Sequence, residues 1–332
     1  MAYKKSKNYQ ADMDKIQKEV DQSIERIFKN DEFQRYLEVV SKFPKYSLNN
    51  VMMITAQKPD ATMVQGYNAW KKLDRQVQKG EKALKILAPV TKKVDMTRID
   101  PKTQKPVLDK NGNEVTEKKD MLTGFRMVST FDVSQTKGKE LFKLRDFIQD
   151  DLKESDRINQ LYQDFKGYLN QHTTFDVKEQ ALDDDKVNGY FRPADDTIRV
   201  NAKQENTSMK FKTLIHEYAH AQLHHQESDM KDLPRGHKEA QAESVAFVVS
   251  KYYGLDTSQY SAGYIAGWAK NIKLAKQAMQ EIQNVSNHTI REIDDLMKDR
   301  VKEIQHENGK DKEESKDLSK SNSSKKEAEL EL

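Results

Sequence analysis

Apolar residues recur at helical spacing at Ile16, Val20, Ile24, Ile27 and Phe28, and again at Phe33, Tyr36, Leu37 and Val40. The period predicts two amphipathic helices with a break at Asn30-Asp31. Tyr46 to Ala56 predicts a third helix, with Ser47 at its N-cap and Lys58-Pro59-Asp60 as its stop. The pattern then changes. Leu84 to Val90 and Phe125 to Val133 are short β-compatible runs. Between them Asp100 to Asp120 is rich in Pro, Lys and Asn-Gly turn signals, which predicts a protruding hairpin or mobile loop. The polar run SQTKGKE and a charged helical stretch near residues 140–170 place a domain boundary near Lys139 to Asp151.

Beyond the boundary, Gly189-Tyr-Phe-Arg and Thr197-Ile-Arg-Val-Asn read as two strands joined by a turn at Pro-Ala-Asp-Asp. Phe211, Leu214, Ile215, Tyr218, Ala219 and Leu223 then predict a helix over Met209 to His225. A further apolar helix is expected over Glu239 to Tyr253, stopped by Gly254, and one or more long helices over Tyr260 to Arg300. From Glu307 to Leu332, Lys, Glu, Ser and Asn dominate without an aromatic residue, the composition of a disordered tail. The expected fold class is α+β in two domains. A mixed α/β domain covers 1–145, with an insertion at about 95–122, and a mainly helical domain with a small sheet covers 146–285. A helical extension and charged tail follow over 286–332.

At 332 residues the chain is long enough for two domains. A mean hydropathy of −0.95 and the lack of a long uninterrupted apolar run argue against a membrane span. The charged N-terminal stretch lacks an apolar segment behind it, so no secretion signal is expected, and a cytoplasmic location is. With no cysteine, disulfides, thiolate nucleophiles and Cys-based zinc sites are excluded. Any metal must be held by His and carboxylates.

The near-neutral total of +3 conceals an asymmetry. Residues 1–150 carry a net of +9 and residues 151–332 a net of −6, and +6 falls within Lys71 to Arg98. Such asymmetry suggests that the first half meets a polyanion. Single strands are bound by a cationic groove that tracks phosphates and by aromatic faces that stack bases. Lys71, Lys72, Arg75, Lys79, Lys82 and Lys85 surround Tyr67 and Trp70, and Gly80 would let backbone approach a phosphate. For Trp70 the favoured role is a core anchor, with the lysines around it meeting DNA. Asn49, Asn50 and Gln57 suit either bases or turns.

His216-Glu217-Tyr218-Ala219-His220 is an HExxH motif on an expected helix. At i and i+4 the two imidazoles share one face and can bind one Zn²⁺, while Glu217 is suited to take a proton from a water that zinc acidifies. For a third ligand, His224, His225 and His237 are candidates. Three ligands on one straight helix cannot surround a tetrahedral ion, which counts against His224. The extended HExxHxxGxxH pattern fails, because Leu223 and Gln226 occupy its Gly and His positions. Glu239 and Glu243 remain, nineteen and twenty-three residues after His220, on a helix apolar enough that inward carboxylates would need a cation.

HEYAH followed by KEAQAESVAFVV resembles the gluzincin pattern of the ImmA/IrrE-type metallopeptidases, and GYFRPADDTIRVN resembles the short hairpin of that family. The resemblance covers about residues 185–270. It implies a zincin-like metallopeptidase domain with one Zn²⁺ per chain on His216, His220 and Glu239. Glu217 would be the catalytic base, Glu243 a residue that holds a ligating imidazole, and the substrate an unknown protein. Tyr190, Tyr260 and His237 are candidates for stabilising an oxyanion. Tyr252 to Asp256 and the YIAGWA segment are assigned to packing.

The segment from Tyr46 to Pro89 is similar to the ArdC-like single-stranded-DNA-binding domain of antirestriction and conjugation proteins. The matches are the YSxxN start, Gln57 with Pro59, Trp70, the Val77-Gln-Lys-Gly-Glu-Lys run, the Ile86-Leu-Ala-Pro strand end and Phe131-Asp-Val-Ser-Gln-Thr. This similarity covers most of residues 10–136. It implies a single-stranded-DNA-binding accessory protein of a plasmid or conjugative transposon, without a membrane partner. A non-catalytic coating protein with a structural zinc is the alternative. If the tail reading holds, removing residues 307–332 leaves the thermal unfolding transition unchanged by circular dichroism, and loss of folding would overturn it.

Overall fold

The computed structural model of the protein describes residues 9–29, 32–100, 103, 105–141, 154–255 and 271–298. The expected tail over 307–332 and the YIAGWA segment lie outside these residues. The two N-terminal helices are α1 (Tyr9–Lys29) and α2 (Phe33–Lys42), and the third, α3, is Leu48–Gln57. The chain divides into two units, one of residues 1–20 and 48–140 and the other of residues 21–47 and 141–332. Residues 21–47 thus group with the second unit, although the sequence pattern assigns them to the first. The reason is packing, since α2 buries Phe33, Tyr36, Leu37 and Val40 and lies against a helix of the second unit, Arg235–Tyr252.

In the first unit, β1 (Val64–Gly66), β4 (Thr116–Asp132) and β3 (Leu84–Thr97) form an antiparallel sheet in the order β1-β4-β3. Helix α4 (Tyr67–Lys72) follows β1, and β2 (Arg75–Val77) pairs with β5 (Thr136–Gly138). The two ends of the expected insertion are strand. β3 and β4 stay paired from Leu84–Thr130 to Thr97–Thr116, with a bulge at Val90/Thr91. Of the two expectations, protruding hairpin and mobile loop, the structure has the hairpin, in which Lys93 faces Asp120 and Asp95 faces Lys118 across the ladder. Opposite charges placed directly across an antiparallel pair favour that register.

The outer edge of β3 is closed by side chains rather than by another strand. The Asn50 amide donates to Leu87 O and accepts from Leu87 N, both at 2.8 Å. Gln57 does the same for Lys85, one strand repeat away. Asn50 and Gln57 therefore dock α3 on the sheet, where the sequence suggested bases or turns. They satisfy backbone groups that an edge strand would otherwise expose. At the other end of the sheet Asp132 accepts from the Thr62, Met63 and Ser134 N–H groups, and Gln135 caps it in return. This explains the Phe131-Asp-Val-Ser-Gln-Thr motif. A buried carboxylate with three backbone donors fixes how the chain re-enters the sheet.

The second unit begins with α5 (Glu154–His172) and β6 (Asp176–Gln180). Strands β7 (Gly189–Arg192) and β8 (Thr197–Asn201) lead to α6 (Thr207–Leu223) and α7 (Arg235–Tyr252), and α8 covers 272–298. Strand β8 is central, parallel to β6 and antiparallel to β7. Its buried Ile198 and Val200, with Phe165, Leu214, Tyr218 and Val245 from the helices, make the core. β6 carries a single aliphatic residue, Val177, and escapes a hydrophobicity pattern. Its outer edge is closed by Asn170, whose amide bonds both the N–H and the C=O of Val177. No described helix is long and apolar enough to cross a membrane.

Lys166 and Lys210 clasp Glu179 of β6 at 3.0 and 2.6 Å. Burial opposes ionisation of Glu179, but hydrogen bonds from Lys210 and Lys166 outweigh it and hold the carboxyl down to about 2. The folded value lies below the ordinary one near 4.5, so this stabilisation is complete above about pH 4.5 and is lost as pH falls through about 2. Glu179→Gln is expected to cost about 1–3 kcal/mol at pH 7 by denaturant unfolding, with the difference from the parent shrinking between those pH values. A pH-independent difference would contradict the clasp.

Candidate metal centre

Asn206 starts α6 by accepting the Met209 N–H, and His224 ends it. The helical phase between them places His216 and His220 one turn apart, facing α7. Helix α7 begins at Arg235, one turn earlier than the apolar pattern indicates, with Pro234 at its N-cap. Glu239 therefore sits one turn inside the helix. Ala240, Ala242, Val245 and Ala246 pack without a cavity-filling bulk, and α6 and α7 share an extensive contact.

His216, His220 and Glu239 each offer one donor atom, and these atoms lie within 4.8 Å of one another. The two Nε2 atoms are 3.2 Å apart, and Glu239 Oε2 lies 3.4 Å from one and 3.5 Å from the other. A tetrahedral ion with bonds of about 2.0–2.1 Å holds adjacent ligands about 3.3–3.4 Å apart, so the donors fit three corners of such a shell. Glu243 Oε2 is 3.5 Å from His216 Nδ1, and its other oxygen accepts from Lys212 Nζ at 2.8 Å. Of the other histidine candidates, His224 meets His220 Nδ1 rather than the three donor atoms.

The electrostatics follow from this crowding. Burial alone would depress the His216 imidazole, but hydrogen bonds with Glu239 and Glu243 outweigh it and raise it to about 9. Hydrogen bonds from His216 and His220 hold the Glu239 carboxyl well below its usual range. His224 is the opposite case. Burial pushes it down to about 4, so it is neutral at pH 7.

Glu217 lies beside the donors, turned towards β7. It is 7% exposed, and burial raises its carboxyl against the pull of His216 and His220. It accepts the Phe191 backbone N–H, which lies on the outer edge of β7. Gly189 permits this approach, because a Cβ there would stand 2.6 Å from both Arg199 O and Thr213 Cγ2. The need for that glycine is not visible in a strand pattern. A cavity of about 610 Å³ opens over the donors, with β7 along one wall and Lys212, Arg235 and Lys238 among its lining. Tyr190 lines it and His237 does not, while Tyr260 lies outside the described residues.

The residues expected at a DNA surface in the first unit separate into four kinds. Tyr67 is 43% exposed with Lys71 Nζ 5.3 Å over its ring, and Lys72, Lys79, Lys82 and Lys85 are exposed. Arg75 uses its guanidinium to bond Thr136, Gly138 and Lys139 of the β5 segment. Gly80 has φ +92°, so it serves the turn before β3. Trp70 requires a correction. Its ring is 0% exposed and its indole N–H donates to Phe131 O at 3.0 Å, leaving no face on which a base could stack.

Residues 6–131 match the family of the N-terminal domain of anti-restriction factor ArdC, so the first domain is ArdC-like. An uncharacterized protein of Bacillus anthracis, pXO2-81, is 29% identical over 303 residues. The match covers 83% of this chain and 49% of that protein, so the chain spans about half the length of this relative. Among solved structures, the metal-free antirestriction protein ArdC of plasmid R388 is similar over 76% of this chain and 85% of its own. The TM-score is 0.42 and the identity 18%. Its Mn(II)-bound structure gives 0.41 and 17%, over 76% of this chain and 84% of its own.

Because His216 holds a proton where a metal would sit, a metal must displace it. Metal affinity, measured by chelator competition, is expected to rise about tenfold per pH unit from neutrality to about 9, the His216 value. The His216→Ala, His220→Ala double variant is expected to bind no metal, and retention of one equivalent would refute the site.

Proposed function

We propose that this chain is a single-stranded-DNA-binding protein of the antirestriction type, carried by a plasmid or related mobile element, with a metal centre in its second unit. The observation that carries the reading is the ArdC-like domain over residues 6–131. The exposed Tyr67 and lysines 71, 72, 79, 82 and 85 supply the chemistry that a single strand needs, a stacking face and phosphate charge. Trp70, Arg75 and Gly80 support that surface from beneath or shape its turn. Binding to DNA would place the protein in the cytoplasm, with no call on a membrane.

For the second unit, we assign zinc to His216, His220 and Glu239, since two imidazoles and a carboxylate at tetrahedral spacing suit it. Glu243 would orient His216 through Nδ1. A specific observation favours a second reading, hydrolysis of a protein substrate. Glu217 is a buried carboxylate with a raised value, beside the donor cluster and within a cavity bordered by a strand edge. A bound zinc would supply Lewis acidity for amide hydrolysis. Glu217 would then accept the proton of the attacking water and return it to the leaving amine, while the outer edge of β7 aligns an extended peptide. In the binding-only reading the ion is structural and Glu217 only secures Phe191.

Single-stranded DNA is expected to bind more tightly than duplex, with log affinity falling linearly in log salt. Replacing Lys71, Lys72, Lys79 and Lys82 together by Ala should flatten that slope by about 2–3, from a loss of about 0.7 per phosphate contact. Equal affinity for both forms, or an unchanged slope, would refute the surface. Glu217→Gln separates the two readings of the metal centre, because only a hydrolytic protein loses its antirestriction activity in cells while DNA binding stays intact.

A further inference from the structure

Helix α3 bonds β3 at Lys85 and Leu87, and β1 pairs with β4 only from Thr130 to Asp132. Beyond those points β3 and β4 pair with each other, and the hairpin they form exposes large apolar side chains. Leu122 is 55%, Met127 44% and Phe125 37% exposed, and Pro89 is exposed as well. The register gathers them on one face. Residues directly opposite in an antiparallel pair share a face, and successive residues alternate. Met127 faces Leu87 and Phe125 faces Pro89. At the bulge Gly124 pairs with Val90 and Leu122 with Thr91, so Thr123 is the extra residue. That one extra residue returns Leu122 to the face of Phe125 and Met127.

The charge of the hairpin divides at the same place. In the outer half, residues 93–97 and 116–120, every cation has an anion beside it. Lys93 faces Asp120, Lys118 faces Asp95, and Lys119 Nζ is 2.8 Å from Glu117. The inner half, residues 84–92 and 121–130, holds three cations and no carboxylate. These are Lys85, Lys92 and Arg126, all exposed, and they face Ser129, Met121 and Ala88 across the ladder. Lys85 lies on the apolar face. Arg126 and Lys92 leave from the other face, but the strands are only about 5 Å apart, so their long side chains flank the ribbon. Uncompensated positive charge and exposed apolar surface therefore coincide.

We propose that single-stranded DNA continues from Tyr67 onto this half of the hairpin, where Met127, Phe125 and Leu122 receive bases and Lys85, Lys92 and Arg126 receive phosphates. The inference rests on the single-stranded-DNA reading and extends that surface along β4. The two surfaces are continuous, because β1 pairs Gly66 with Thr130 and Tyr67 follows at once, beside Ser129 and its partner Lys85. An apolar strip flanked by cations complements a polyanion that carries flat apolar faces. In a duplex those faces are stacked on one another, so the strip selects unpaired strands. A second copy of this chain would set the three cations against the same three. Pairing along the edge of β3 is opposed by Pro89, which lacks an N–H, and by the bulge.

The test uses the full chain and a fluorescent oligothymidylate of about 16 nucleotides. Phe125→Ala with Met127→Ala is expected to weaken binding about tenfold or more at an unchanged salt slope, because an uncharged platform releases no counterions. Lys92→Ala with Arg126→Ala is expected to flatten the slope of log affinity against log salt by about 1.4, from about 0.7 per phosphate contact. Parent-like affinity in the first variant, or a parent-like slope in the second, overturns the proposal and leaves the surface around Tyr67 standing. Should the first variant fail to fold by circular dichroism, Leu122→Ser replaces it. It is expected to weaken binding about threefold or more, and full affinity there overturns the proposal. A parent dimer that the first variant turns into monomer, by sedimentation equilibrium, assigns the strip to a second copy and also overturns it. A parent chain that binds no single strand sinks the single-strand reading and this extension together.

Discussion

Two imidazoles on α6 face two carboxylates on α7 across a contact lined by alanine, serine and valine, and this meeting constrains the whole second unit. Small residues let the helices approach closely, and the approach desolvates the two imidazoles and Glu243 while the Glu239 side chain stays about half exposed. Buried carboxylates need compensation, which two imidazoles supply only when one of them is charged or when a cation joins them. His216 is accordingly held protonated in the absence of metal, and Lys212 balances the outer side of Glu243. The same packing leaves Glu217 beside the imidazoles in the same cavity, turned towards an edge strand. One helix thus presents its ligands and its carboxylate in different directions, as residues one position apart on a helix must.

A second device recurs in both units. In the β1-β4-β3 and β6-β8-β7 sheets one outer edge is bonded from a helix by side-chain amides. Asn50 and Gln57 bond the outer side of β3, and Asn170 that of β6. An amide offers one donor and one acceptor at the spacing of a backbone peptide, so it completes the ladder where no strand is available. On β7 the corresponding edge keeps one N–H for Glu217. That edge borders the cavity. The arrangement allows small sheets to stand without a partner while one edge remains open at the site.

In the first unit the basic segment combines scaffold and surface within about fifteen residues. Trp70 lies in the core and Arg75 ties β2 to β5, while the lysines between and after them face solvent. Spacing along the chain explains the division. Helix α4 has one buried position in its two turns, which Trp70 occupies, and the short β2–β5 ribbon has no core of its own to hold it. A guanidinium with several donors can bond three residues of the neighbouring segment, Thr136, Gly138 and Lys139, which a lysine ammonium cannot do in the same way.

What was legible in the sequence was local. The helical periods over 13–40 and 209–225, the i, i+4 pair of the HExxH motif, the 189–201 hairpin and the excess of lysine after Tyr67 all arise within a turn or a strand repeat. Such features depend on backbone geometry and on side chains close in sequence. Tertiary structure decided the rest. It settled burial for Trp70, which the sequence favoured, and hairpin over mobile loop for the charged run beyond Val90, through pairs matched across the ladder. It grouped residues 21–47 with the second unit, required Gly189 for the approach of β7 to α6, and linked His224 through Gln241 to Glu281, which lies fifty-seven residues further along the chain. These outcomes are set by desolvation and by hydrogen-bond partners that come together only when distant helices pack, and no local window of sequence contains those energies.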